Sequence, residues 1–158
     1  MRTRTIVAGI FGMALLSGCA APPPPPPTVI NLTLNATADT NPTTDNAGAP
    51  IATRAYQLTS AANFNGAEFF QIFNADAATL KTDIVKREDF LLAPSASKTE
   101  KIMPDSTVKS IGIFAAYRSF QTVTWRGSAD VVANKINNIT VTFGHDGVVI
   151  VSETVTPK

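Results

Sequence analysis

In Ile139-Thr140-Val141-Thr142-Phe143-Gly144-His145-Asp146-Gly147-Val148-Val149-Ile150-Val151, apolar and hydroxyl-bearing side chains alternate up to Gly144, and an apolar run resumes after Gly147. Period-two alternation is the signature of a strand with one face on a core and one in water. Asp146-Gly147 between two such runs predicts a tight hairpin turn. The stretch therefore reads as two antiparallel strands, and the chain around it is expected to be built the same way.

Working outward, Ile30, Leu32 and Leu34 alternate with Asn31, Thr33 and Asn35, giving another half-buried strand. Ile51 to Leu58 reads as a strand. Ile111 to Tyr117 is nearly all apolar, which suits a strand covered on both faces. Val123 to Val132 reads as a strand broken around Gly127, and shorter strands are expected at Asp89 to Leu92 and Lys98 to Met103. One segment departs from this rhythm. Asn65 with Glu68 has capping-box spacing, and Phe69, Ile72 and Phe73 then fall on one helical face. A further helical turn is expected over Ala77 to Leu80. Many short strands with one helical insertion make the fold class mainly β, a two-sheet β-sandwich.

The N-terminus decides the compartment. Arg2 and Arg4 precede an uncharged run from Thr5 to Leu16, followed by Leu16-Ser17-Gly18-Cys19. As a helix that run reaches about 18 Å, short of a hydrocarbon core of about 30 Å. It reads as a secretory signal over residues 1–18. Leu-Ser-Gly-Cys resembles the bacterial lipobox, which implies acylation of Cys19 and cleavage before it. Ala20, rather than aspartate, follows, which in such lipoproteins implies delivery to the outer membrane. Cys19 is the one cysteine of the chain, so no disulfide is expected. Residues 19–28 form a tether whose Pro22 to Pro27 run adopts polyproline II, about 19 Å long. Residues 29–156 form the sandwich domain.

Composition excludes several functions. Removing residues 1–18 takes Arg2 and Arg4 out of a formal charge of +1, leaving −1. That balance argues against nucleic acid and against a polybasic membrane patch. His145 is the only histidine and sits in a turn-forming Gly-His-Asp-Gly. With one histidine and a lipidated cysteine, no nitrogen- or sulfur-rich metal site can be assembled. No nucleophile elbow or phosphate loop occurs. No catalytic residue, metal or cofactor is expected beyond the covalent lipid on Cys19. Phe69, Phe70, Phe73 and Trp125 are assigned to the core, and Arg118 and Arg126 to local ion pairs or hydrogen bonds.

The stretch from Ala36 to Pro50 is long for a connection in a small domain and contains alanine as its one apolar type besides proline and glycine. Loops of that length are functional or unstructured more often than not.

Several stretches occur together in order: the lipobox, Asn31-Leu32-Thr33-Leu34-Asn35, the polar loop ending Gly48-Ala49-Pro50, and Arg54-Ala55-Tyr56-Gln57-Leu58. Phe64 with Glu68-Phe69-Phe70 follows, then Ile111 to Arg118 and Trp125-Arg126. This succession resembles the TssJ (VasD-type) outer-membrane lipoproteins of the type VI secretion system over about residues 15–151. The resemblance implies a transthyretin-like sandwich. It implies a subunit of the secretion membrane complex that anchors the periplasmic C-terminal region of TssM, and through it TssL, to outer-membrane lipid, in multiple copies. It also implies that the loop after the first strand, here Asp39, Thr40, Asn41, Pro42, Thr43, Thr44, Asp45, Asn46, Ala47 and Gly48, contributes to that contact. A periplasmic ligand-binding lipoprotein is the alternative; it requires aromatic and polar side chains converging at one end of the domain.

Overall fold

In Val29–Ala36 the side chains of Ile30, Leu32 and Leu34 are buried while Asn31, Thr33 and Asn35 face outward. This strand, β1, thus acquires its inner face from alternation alone. The computed structural model describes residues 22–157; the signal segment and Cys19 lie outside these residues. After β1 come β2 (Ile51–Leu58), α1 (Ala62–Gly66), α2 (Phe69–Leu80), a 3₁₀ turn at Lys81–Asp83, β3 (Ile84–Leu92) and β4 (Ser97–Ile102). The chain continues through β5 (Ser110–Ala115), β6 (Arg126–Asp130), β7 (Ile136–Gly144) and β8 (Gly147–Val155).

The strands form two four-stranded sheets, ordered β4-β1-β7-β8 and β3-β2-β5-β6. β1 and β7 run parallel, from Val29 beside Ile136 to Ala36 beside Phe143, and the other paired strands are antiparallel. Ile30, Leu32, Leu34, Ile139, Val141 and Phe143 of the first sheet pack against Ile51, Ala55, Ile111, Ile113 and Ala115 of the second. The expected two-sheet sandwich is the observed fold.

The second sheet is covered on its outer side as well. Tyr56, Leu58 and Phe114 point away from the sandwich interior and pack with Phe64, Phe69, Ile72 and Leu80 of the helices. That explains why every residue of β5 is buried and why its sequence lacks alternation. Gly112 permits the close approach: a Cβ there would stand 2.9 Å from Leu58 Cδ1 and 3.1 Å from Phe64 Cδ1.

Several boundaries differ from the sequence reading. The helix cap lies three residues later: Glu68, not Asn65, precedes α2, and its backbone N–H donates to Gln71 Oε1 at 2.8 Å. Asn65 is inside α1, and the extended backbone at Ala67 ends that helix before the second begins. α2 is interrupted at Ala75, which has non-helical φ/ψ of −145° and 41°. Phe69 and Ile72 are buried on the face that meets the sheet, but Phe73 is 42% exposed and Phe70 55%. These two are not core residues. β3 starts at Ile84, well before Asp89; it is an edge strand, so most of its Lys86-Arg87-Glu88-Asp89 run is exposed at little cost. β6 begins at Arg126, after Trp125, and Gly127 lies within it; a Cβ at Gly127 would meet Ile150 Cδ1 of β8 at 2.8 Å. The hairpin loop is His145-Asp146, with Gly147 already paired to Gly144. Gly147 has φ +124°, and a side chain there would run into the backbone of Thr124.

Candidate partner-binding end

β1 runs the length of the sandwich, about 25 Å for eight residues, and separates two different ends. At its start Thr28 Oγ1 accepts a hydrogen bond from Asn134 N–H at 2.9 Å, and Val29 N–H donates to Lys135 O at 3.0 Å. The proline run that precedes Thr28 is exposed throughout. At the other end of β1 the chain enters the loop of residues 37–50, so the proline run and the loop occupy opposite ends of the domain.

The loop is built. Thr37 N–H donates to Phe143 O at 3.0 Å and Ser95 N–H donates to Thr37 O at 3.2 Å, which fastens it to the β7–β8 hairpin and the β3–β4 turn. Asn41 takes the left-handed conformation, φ 45°, which asparagine tolerates better than most residues. Its side chain is buried, donating from Nδ2 to Pro50 O at 2.9 Å and accepting at Oδ1 from Arg118 N–H at 2.9 Å. Inside the loop Thr43 N–H donates to Ala47 O, and Ala49 N–H to Thr40 O. Gly48 is required by space, since a Cβ would lie 2.0 Å from Ala38 O.

The ten loop residues singled out from the sequence therefore separate into two groups. Thr40 and Asn41 are buried supports. Asp39, Thr44, Asp45, Asn46 and Ala47 are exposed, with Pro42, Thr43 and Gly48 half-buried. The stretch around Tyr117-Arg118 stitches the end together: Tyr117 Oη donates to Gly144 O at 3.0 Å, and the Arg118 backbone holds Asn41.

Beside the loop lies a groove of about 360 Å³ lined by Thr37, Asp39, Thr142, His145, Asp146 and Val149, among others. His145 Nδ1 and Asp146 Oδ1 are 2.8 Å apart. That hydrogen bond, together with the charges of Asp146 and Asp39, raises the imidazole above its ordinary value. The Thr37 hydroxyl bonds Asp39 at 2.6 Å and holds its carboxyl low. Two carboxylates, Asp39 and Asp146, and one imidazole thus stand on an otherwise largely apolar rim. The aromatic side chains gather elsewhere, on the α2 flank. There Phe69 stacks on Phe120 with ring centroids 4.2 Å apart and meets Trp125 edge-on at 5.2 Å.

Trp125 is half-buried and packs against both apolar clusters. Arg126 lies over its ring at 4.5 Å and donates to the carbonyls of Phe64 and Ala67, satisfying the C-terminus of α1. No metal-holding group of three or more His, Cys, Asp or Glu side chains is found among the described residues.

One network had no clear signal in the sequence. Asp76 is buried beneath the break in α2, where Oδ2 accepts from Tyr56 Oη at 2.8 Å and Arg87 Nη1 at 2.9 Å. Burial pushes the carboxyl up, but the hydrogen bonds from Tyr56, Arg87 and the Ala77 backbone outweigh it and hold it below the ordinary range. Arg54 Nη1 donates to the freed carbonyls of Ile72 and Phe73, at 2.9 and 3.1 Å. The group fastens an interrupted helix to the second sheet.

The described residues form a helix-flanked β-sandwich entered from an exposed proline run, with an ordered loop at the far end. Residues 28–146 match the family described as type VI secretion lipoprotein, VasD, EvfM, TssJ, and the chain belongs to that family. It is 30% identical to the T6SS lipoprotein TssJ1 from Pseudomonas aeruginosa, over 81% of this chain and 98% of that one, with a TM-score of 0.77. Serratia marcescens Lip, a membrane-bound component of the type VI secretion system, shares the fold at 23% identity, 79% and 98% coverage and a TM-score of 0.72. A chain in a structure described as the T6SS protein TssM C-terminal domain from EAEC also shares it, at 20% identity, 78% and 98% coverage and a TM-score of 0.61. No curated protein matches the sequence.

Proposed function

We propose that this protein is the lipid-anchored outer-membrane subunit of a type VI secretion membrane complex. Acyl chains on Cys19 fix it to the inner face of the outer membrane, and the far end of the sandwich holds the periplasmic C-terminal region of TssM, with TssL joined indirectly. The role is structural: it binds and positions, and catalyses no reaction. The observation that carries this reading is the polarity of the domain. The tether enters beside Asn134 and Ile136, while the ordered loop departs one strand length away, beside Phe143. A domain hung from the membrane by residues 19–28 then presents Asp39 and Thr44 to Ala47 into the periplasm. Family membership supports the system, and the relative found in a structure described by TssM supports the partner. Multiple acyl chains give stable anchoring where a single one does not. A loop without large anchors contributes modest affinity alone, and several copies in one assembly raise it by avidity.

Calorimetry of the acylated protein in detergent with the cognate TssM periplasmic region tests this. Replacement of Thr44 to Ala47 by a two-glycine link is expected to weaken binding about tenfold or more, with the melting temperature nearly unchanged. Absence of binding by the unmodified protein would remove the partner assignment. Cys19→Ser is expected to abolish acyl labelling and release the protein from membranes; retention without labelling would remove the anchor.

A further inference from the structure

Four strands end the two sheets: β4 and β8 in the first, β3 and β6 in the second. Edge strands expose unpaired backbone and invite another strand, so proteins protect them with charge, proline or shortness. β3 carries Lys86, Arg87, Glu88 and Asp89, β4 carries Lys98, Glu100 and Lys101, and β6 has only five residues. β8 has nine residues, no lysine, no proline and a single charge, Glu153. Its side chains on the solvent face include Val149 at 60% and Val151 at 62% exposure.

The direction of the free backbone groups follows from one bond. Val148 N–H donates to Thr124 O at 2.7 Å, away from β7. With a repeat of two, Ile150, Ser152 and Thr154 also direct their N–H and C=O groups away from β7. Among the described residues no strand pairs with this side past the Thr124 bridge. The chain thus covers the start of this edge at Thr124 and then enters β6, which packs beside β8 through Gly127 and Ile150 without pairing to it.

We propose that the β8 edge is a strand-addition site, and that its occupant is an extended segment of the periplasmic partner proposed above, on which reading this inference rests. A strand laid along Ile150 to Thr154 satisfies the outward backbone groups, as in β-augmentation generally. Its side chains on the solvent face fall beside Val149, Val151 and Glu153, so the segment carries apolar residues two apart and a basic residue two further on. A second copy of this chain is a poorer occupant. Antiparallel β8–β8 pairing is two-fold, so the tethers of the two copies would leave from opposite ends of the pair, although both start from one membrane.

Amide hydrogen exchange on the acylated chain in detergent, with and without the TssM periplasmic region, reads the proposal directly. The Ile150, Ser152 and Thr154 amides are expected to slow at least about tenfold at saturation. Ser152→Pro removes an outward N–H that makes no internal bond and is expected to weaken binding about tenfold; Val151→Lys, which leaves every backbone group in place, is expected to weaken it as well. Binding that slows only the loop amides, or binding unchanged in Val151→Lys, overturns the edge assignment and leaves the partner reading standing. Self-association of the unmodified chain that is lost in Val151→Lys assigns the edge to a second copy and overturns the stated occupant. No binding by the unmodified chain overturns the partner reading and this occupant with it.

Discussion

The two sheets solve the same problem differently. In the first, β1 and β7 bury Ile30, Leu32, Leu34, Ile139, Val141 and Phe143 on one face and leave asparagine and threonine on the other. The outer residues pair with one another across the sheet: Asn31 Nδ2 donates to Asn138 Oδ1 at 2.8 Å, and Ser97 Oγ to Asn35 Oδ1 at 2.6 Å. In the second sheet the outer face is a second core, sealed by α1 and α2. The outer face of the first sheet is open to solvent, whereas that of the second is committed to holding helices. Mutational sensitivity is expected to follow that division.

The largest effect is expected in the doubly buried sheet. Phe114 is in contact with Phe69, Phe73 and Trp125, and Phe114→Ala is expected to cost about 3–5 kcal/mol by denaturant unfolding. A loss below about 1 kcal/mol would mean that the helical layer contributes little to global stability. Next comes Asp76→Ala, which leaves Tyr56 Oη buried without its acceptor and costs roughly 2–3 kcal/mol. Asp76 also gives that layer an acid dependence. Its folded pKa lies below the ordinary aspartate value, so its contribution is fully present above the unfolded value and is lost as pH falls through the folded one. Asp76→Asn is expected to flatten the acid limb of the melting temperature against pH; an unchanged limb would assign it to other carboxylates. The smallest effect is expected on the outer face of the first sheet, where Asn31→Ala removes one part-exposed hydrogen bond and costs about 0.5–1 kcal/mol. A cost as large as that of Phe114→Ala would erase the contrast between the sheets.

Legibility tracked how local each feature is. β1, β2 and the β7–β8 hairpin were plain in the sequence because alternation and a turn-forming dipeptide are properties of neighbouring residues. The break at Ala75 and the Asp76–Tyr56–Arg87 group were not, since Tyr56 and Asp76 are twenty positions apart and meet only after β2 receives α2. The loop of residues 37–50 was conspicuous by length and composition, yet the burial of Thr40 and Asn41 depends on Arg118, far along the chain. The sequence pointed to a capping box at Asn65 with Glu68; the extended backbone at Ala67 ends α1 there and moves the cap to Glu68, which pairs with Gln71.

Strand periodicity, the uncharged segment before Cys19, the proline run and the place of the long loop were all legible along the chain, because each is written in the spacing or chemistry of adjacent residues. Which strands became edges, which phenylalanines left the core and which loop residues face solvent emerged with the packed fold. Those outcomes depend on what packs opposite each side chain, and pairing between distant segments sets that.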